Sequence, residues 1–142
     1  MKILIMGLPG SGKSTLAKPF ADLIGGIHLN ADEVRGKYDD WDFTPEGRIR
    51  QAARMRHLAD GVVMAGKIAV ADFVCPTEKA RSEFDPDYVV WMDTIDKGRF
   101  EDTNKMFEPP KNVNYHVNKW FDDTHEQLLK VVSNWMEKNG LH

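Results

Sequence analysis

Gly7-Leu8-Pro9-Gly10-Ser11-Gly12-Lys13-Ser14-Thr15 is the stretch of this chain whose chemistry is specific on its own. Its spacing, G-x-x-x-x-G-K-[ST], has Gly7, Gly12, Lys13 and Ser14 in the fixed positions of a loop that wraps phosphate groups. Lys2 to Met6 before it is a short apolar run, which predicts a buried parallel strand. Thr15 to Ile24 after it predicts a helix. Glycines let the backbone curl until successive N–H groups point at phosphate oxygens, and the helix N-terminus adds the positive end of its dipole. Lys13 is then in reach of β- and γ-phosphates, and the Ser14 hydroxyl is placed to ligate Mg²⁺, so ATP and Mg²⁺ are the expected cofactors. The alternative is a glycine-rich turn without a ligand, and the flanking strand and helix speak against it.

At 142 residues the chain is expected to form one domain. The 42% apolar and 29% charged content is that of a soluble globular protein, and a formal net charge of −3 gives no support for broad nucleic-acid binding. No apolar run is long enough to span a bilayer and no signal-peptide pattern is seen, so a cytoplasmic location is expected. The single cysteine, Cys75, cannot form an internal disulfide, which agrees with a reducing compartment. No repeat, linker or low-complexity tract interrupts the chain.

After the first helix, Gly25-Gly26 breaks the pattern and Ile27-His28-Leu29 reads as a second strand that opens into Asn30-Ala31-Asp32-Glu33-Val34-Arg35. Ligands bind at that carboxyl edge in open α/β sheets, which makes Asp32 and Arg35 site candidates. Helix capping by Asn30 or Asp32 and a solvated Arg35 are the plainer alternatives. Thr44-Pro45 predicts a helix start, with Thr44 as N-cap, and the helix runs to about Ala65. Its first half is basic, and Arg48 stands nearest the start; His57 is expected to be structural or exposed. Lys67 to Ala71 reads as the third strand. Asp72 follows it, either on Mg²⁺ or as a brace for a neighbouring loop. Thr77 to Phe84 reads as a short helix, and Tyr88 to Met92, apolar throughout, as a central fourth strand. Residues 93–112 are the least regular part and a candidate short lid. Val113 to Val117 reads as an edge strand, and a last helix over about Lys119 to Lys138 carries Phe121, Leu128 and Trp135 on a core face. Alternating strands and helices predict a five-stranded parallel sheet with helices on both faces.

These motifs, in this order, resemble those of the adenylylsulfate kinases, phosphate-loop kinases that move the γ-phosphate of ATP to the 3′-hydroxyl of adenosine 5′-phosphosulfate. The family's D-G-D-N-V-R is similar to Asn30-Ala31-Asp32-Glu33-Val34-Arg35, and its G-F-S-x-x-D-R-x-x-N to Asp42-Phe43-Thr44-Pro45-Glu46-Gly47-Arg48-Ile49-Arg50-Gln51. Its F-I-S-P resembles Phe73-Val74-Cys75-Pro76, its D-T-P Asp93-Thr94-Ile95, and its Y-E-x-P Phe107-Glu108-Pro109-Pro110. The resemblance implies a phosphate-loop NTPase fold with ATP in the loop from Gly7 to Thr15. It implies acceptor contacts from Arg35, Phe43, Arg48, Gln51, Phe73 and Cys75. Catalytic roles would fall to Lys13, Asp32 and Arg99, and the metal to Ser14 with Asp32 or Asp72. Asn30 replaces the family's first Asp, Gln51 its Asn and Cys75 its Ser, and the long basic lid is shortened, so that only Arg99 loosely matches its basic residues.

The expected function is therefore an ATP-dependent kinase of sulfate assimilation acting on adenosine 5′-phosphosulfate. A kinase for a sugar, another nucleotide or a nucleic-acid end is the alternative, and a nucleotide-binding module that does not transfer phosphate is a third. The expected partner is a small-molecule acceptor, with no membrane, no clear nucleic-acid surface and a homodimer left open. Cys75 is either a small packing residue or, if its pKa were lowered, a redox-sensitive thiol.

Overall fold

The computed structural model describes residues 1–141. In chain order the elements are β1 (Lys2–Met6), α1 (Lys13–Ile24), β2 (Ile27–Asn30), α2 (Ala31–Tyr38), α3 (Pro45–Met64) and β3 (Ala69–Asp72). They continue with α4 (Glu78–Phe84), β4 (Tyr88–Met92), α5 (Glu101–Met106), β5 (Tyr115–Val117) and α6 (Thr124–Lys138). The strands form one parallel sheet in the order β2-β3-β1-β4-β5.

The apolar runs explain the layers. Every residue of β1 is buried, and its side chains alternate between two cores. Ile3 and Ile5 pack with Leu16 and Phe20 of α1 and Leu128 and Val132 of α6. Leu4 and Met6 pack with Ala52 and Met55 of α3, Phe73, and Phe84 of α4 on the other face. The expected parallel sheet with helices on both faces is what forms. Helix starts follow local chemistry: Thr44 accepts a hydrogen bond from the Gly47 N–H at 3.2 Å with Pro45 at the first helical position, and Thr77 accepts one from the Ala80 N–H at 3.1 Å.

β4 is an inner strand, as expected, and β1 stands in the middle of the sheet. Three expectations are corrected. β3 begins at Ala69 rather than Lys67 and includes Asp72 as its last residue. The stretch read as irregular contains α5, in a segment pinned by the Asn104 side chain, which accepts from the Gly98 N–H at 2.8 Å and donates to the Gly98 carbonyl at 2.9 Å. α6 begins at Thr124, because the buried Thr124 hydroxyl closes a turn with the Phe121 backbone at 2.8–2.9 Å; Phe121 is left 54% exposed, outside the core. Leu128 does lie in the core, and Trp135 packs edge-on against Tyr88.

Candidate active site

The phosphate loop leaves the carboxyl end of the central strand. Gly10 and Gly12 hold φ of +87° and +99°, the left-handed region that glycine enters without strain. Gly7 is needed for close approach: a Cβ there would stand 2.5 Å from the Met92 carbonyl oxygen. The Thr94 hydroxyl donates to the Ser11 carbonyl at 2.7 Å, so the residue after Asp93 braces the loop from behind. Lys13 lies back along the loop with Nζ donating to the Leu8 carbonyl at 3.1 Å. Burial lowers its pKa to about 8, against the pull of the Asp72 and Asp32 carboxylates. Phosphate oxygens entering the loop would favour the charged form.

Beside Lys13, the Ser14 hydroxyl donates to Asp72 Oδ1 at 3.1 Å, and the Asn30 amide donates to Ser14 Oγ at 3.0 Å. Asp72 Oδ2 accepts from His28 Nε2. Asp32, in the first turn of α2, is exposed, whereas Asp72 is 3% exposed. Hydroxyl and carboxylate oxygens are the donors a hard cation such as Mg²⁺ takes. Among the described residues no three His, Cys, Asp or Glu side chains converge as a metal cage. The residues therefore fit a cation that draws its other ligands from phosphate and water, which is the usual habit of Mg²⁺. Asn30 also accepts from the Glu33 N–H at 3.0 Å, so the capping expected of Asn30 or Asp32 falls to Asn30.

A cavity of about 750 Å³ opens in front of the loop. Its lining brings together nearly every residue singled out in the sequence. Pro9, Gly10, Gly12, Lys13, Ser14 and Thr15 stand at one end with Asp72; Asp32, Arg35, Phe43, Arg48 and Gln51 come from α2, α3 and the loop between them; Phe73, Cys75 and Arg99 complete it. Gly7, Leu8 and Ser11 shape the loop from behind and do not line the cavity.

The α2–α3 side of the cavity is built around Phe43, whose ring lies 4.4 Å from the Arg35 guanidinium and 4.9 Å from that of Arg48. Arg35 is held by the Asp40 and Asp42 carbonyls at 3.0 and 3.2 Å. Arg48, 9% exposed, donates one bond, from Nη2 to the Thr103 hydroxyl of α5 at 2.7 Å, and its buried Nε has no partner. Burial and the neighbouring Arg35 lower its pKa to about 10. Gln51 has both ends engaged, donating to the Ala31 carbonyl at 3.1 Å and accepting from Arg54 at 2.8 Å. Cys75 is 1% exposed, and burial pushes its thiol well above the usual range, which favours the packing reading over a reactive thiolate. Its backbone sits at φ +46°. Arg99 is exposed at the rim, its guanidinium over the Phe100 ring at 5.3 Å.

Sequence reasoning missed His28, Trp41, Phe100 and Thr103. For His28 a signal existed: it stands two residues before Asn30 and so shares a face of the strand with it. Trp41 and Phe100 are exposed aromatics on the cavity wall, a sign that only the cavity reveals.

A parallel sheet in this order, with a phosphate loop on its central strand and a cation-lined cavity in front, is the architecture of a phosphate-loop kinase. A model of the adenylylsulphate kinase family matches residues 1–87, and the chain belongs to that family. It is 33% identical over 89 residues to a probable adenylyl-sulfate kinase of Aeropyrum pernix, a match covering 56% of this chain and 47% of that protein. The alignment thus spans about half the length of this curated relative. Among solved structures, the Mycobacterium tuberculosis APS kinase CysC in complex with AMPPNP and APS is similar with a TM-score of 0.74 at 18% identity, over 93% of this chain and 96% of that one. A sugar kinase from Janibacter sp. is similar with a TM-score of 0.70 at 18% identity, over 96% and 94%. The fold is thus shared with kinases named for different acceptors. The family match ends before residues 93–112.

Proposed function

We propose that this chain is an ATP-dependent kinase that transfers the γ-phosphate to the 3′-hydroxyl of adenosine 5′-phosphosulfate. The observation that carries this reading is Arg48: a nearly buried guanidinium on the cavity wall with an unpartnered Nε and Phe43 against its face. A buried cation with unused donors is costly unless an anion reaches it. The aromatic ring beside it suits the flat base of a nucleotide.

In this reading the loop N–H groups and Lys13 neutralise charge on the transferring phosphoryl group, and Ser14 and Asp72 would hold Mg²⁺, which would supply further positive charge there. Arg48 and Arg35 fix the acceptor's anion while Phe43 supports its base. The acceptor oxygen bonds to phosphorus as the bond to the ADP oxygen breaks. Asp32, exposed at the cavity mouth, orients that hydroxyl and takes its proton. Residues 93–112 act as a short lid over one domain and bring Arg99 to the transferring group, with α5 already joined to Arg48 through Thr103.

A second reading keeps the kinase and changes the acceptor. The engaged amide of Gln51 favours it, since one N–H is given to the Ala31 carbonyl and the oxygen is shared with Arg54, which leaves a substrate only the second N–H and a remaining lone pair. An acceptor screen with γ-labelled ATP separates the two. Label is expected on adenosine 5′-phosphosulfate in preference to sugars, other nucleotides or nucleic-acid ends, and preferential labelling of any of those would replace the first reading with the second.

A further inference from the structure

The side chain opposite Ser14 on Asp72 comes from the edge strand β2. Asn30 stands opposite Asp72 in the β2–β3 register, and His28, two residues earlier, lies on the same face and reaches the Asp72 carboxylate through Nε2. A carboxylate can only accept here, so Nε2 carries the proton. Asp72 is therefore held from both sides: Oδ1 takes the Ser14 hydroxyl at 3.1 Å, Oδ2 takes His28, and the Asn30 amide lies 3.4 Å from both oxygens. The carboxylate has one orientation available, with Oδ1 facing the serine of the phosphate loop.

We infer that His28 is a positioning residue for the metal–nucleotide site: it locks the Asp72 carboxylate so that Oδ1 stays with Ser14. This rests on the reading that Ser14 and Asp72 receive the Mg²⁺ of a bound nucleoside triphosphate. Because Asn30 stands where the resembling motif has an aspartate, Asp72 is the buried carboxylate at this edge. Its orientation matters correspondingly more. Neither Ser14 nor Asn30 reaches Oδ2 as closely as His28, and His28 is itself only partly exposed, with 23% of its side chain accessible.

The test reads metal affinity rather than turnover. Mn²⁺ is titrated into the full chain saturated with a non-hydrolysable ATP analogue, with free Mn²⁺ followed by electron paramagnetic resonance. His28→Leu and His28→Gln are compared with wild type. Loss of a side chain that orients a metal ligand weakens metal affinity by about 10–100-fold, and that is the change expected for His28→Leu. His28→Gln, whose amide N–H is the same number of bonds from the backbone, is expected to keep most of the affinity. Nucleotide binding without metal should stay unchanged in both. A His28→Leu protein that folds and binds Mn²⁺ as wild type does would overturn the inference, as would equal losses in the two variants. Should the leucine variant fail to fold, His28→Asn, too short to reach Oδ2, replaces it, and equal affinity in the asparagine and glutamine variants overturns the inference. Wild type that binds the analogue but no Mn²⁺ would overturn the reading of the site along with it, whereas normal wild-type binding with unaffected variants would overturn this inference alone.

Discussion

Arg48 is the side chain on which the proposed acceptor contact rests. It is nearly buried, its Nε lacks a partner, and its pKa is lowered to about 10 by that burial. A hydrogen bond from a charged group to an anion contributes about 1.5–3 kcal/mol, so Arg48→Ala should raise the KM for the acceptor roughly 10–100-fold and leave the KM for ATP near its wild-type value. Arg48→Lys should recover only part of this, because a point charge does not replace a fork. Steady-state kinetics with each substrate varied in turn checks both, and an equal rise in both KM values would place Arg48 elsewhere. Arg48 was legible in the sequence because it follows a capped helix start. Thr103, its partner, was not: the two are 55 residues apart, and nothing in a polar hexapeptide marks one threonine as buried.

The segment between α2 and α3 shows how an element can be held by charge. Asp40 receives Arg50 Nε and Arg54 Nη2, both at 2.8 Å, and Arg50 also reaches Asp42 at 3.0 Å. Hydrogen bonds from Arg50 and Arg54 hold the Asp40 carboxyl well below the usual carboxylate range. A depressed folded-state pKa means that the stabilisation is fully present above the unfolded-state value of about 4 and is lost as pH falls below it. Asp40→Asn should therefore unfold at lower denaturant concentration than wild type near neutral pH, and the gap should close as pH is lowered. Urea melts at stepped pH values measure this, and a gap that widens in acid would contradict it. The basic half of α3 was visible in the sequence, but its division into clamp (Arg50, Arg54) and cavity wall (Arg48) depends on where the loop returns. Similarly, the helical pattern of Leu128 and Trp135 was readable, while the late start of α6 at Thr124 depends on a turn closed by its own hydroxyl.

Across the whole molecule, two cores on opposite faces of the sheet carry the fold, and the site stands at their common carboxyl edge. The two should be separable. Leu128, fully buried on the α6 side, is remote from the cavity lining, so Leu128→Ala should cost about 2–5 kcal/mol of stability without changing either KM; equilibrium denaturation and kinetics on the same protein test it. Strand identities were legible from apolar runs, and so was the inner place of β4, but the full order was not, since a fully apolar strand looks the same in any inner place. The proposed phosphoryl transfer belongs to the edge where these elements meet. The measurement that tests it most directly is incubation of the purified chain with ATP, Mg²⁺ and adenosine 5′-phosphosulfate, with products resolved by mass and Lys13→Met as control. Wild type is expected to form equal amounts of ADP and 3′-phosphoadenosine 5′-phosphosulfate, and the folded variant neither. Wild type that binds ATP yet forms no phosphorylated adenosine phosphosulfate would contradict it.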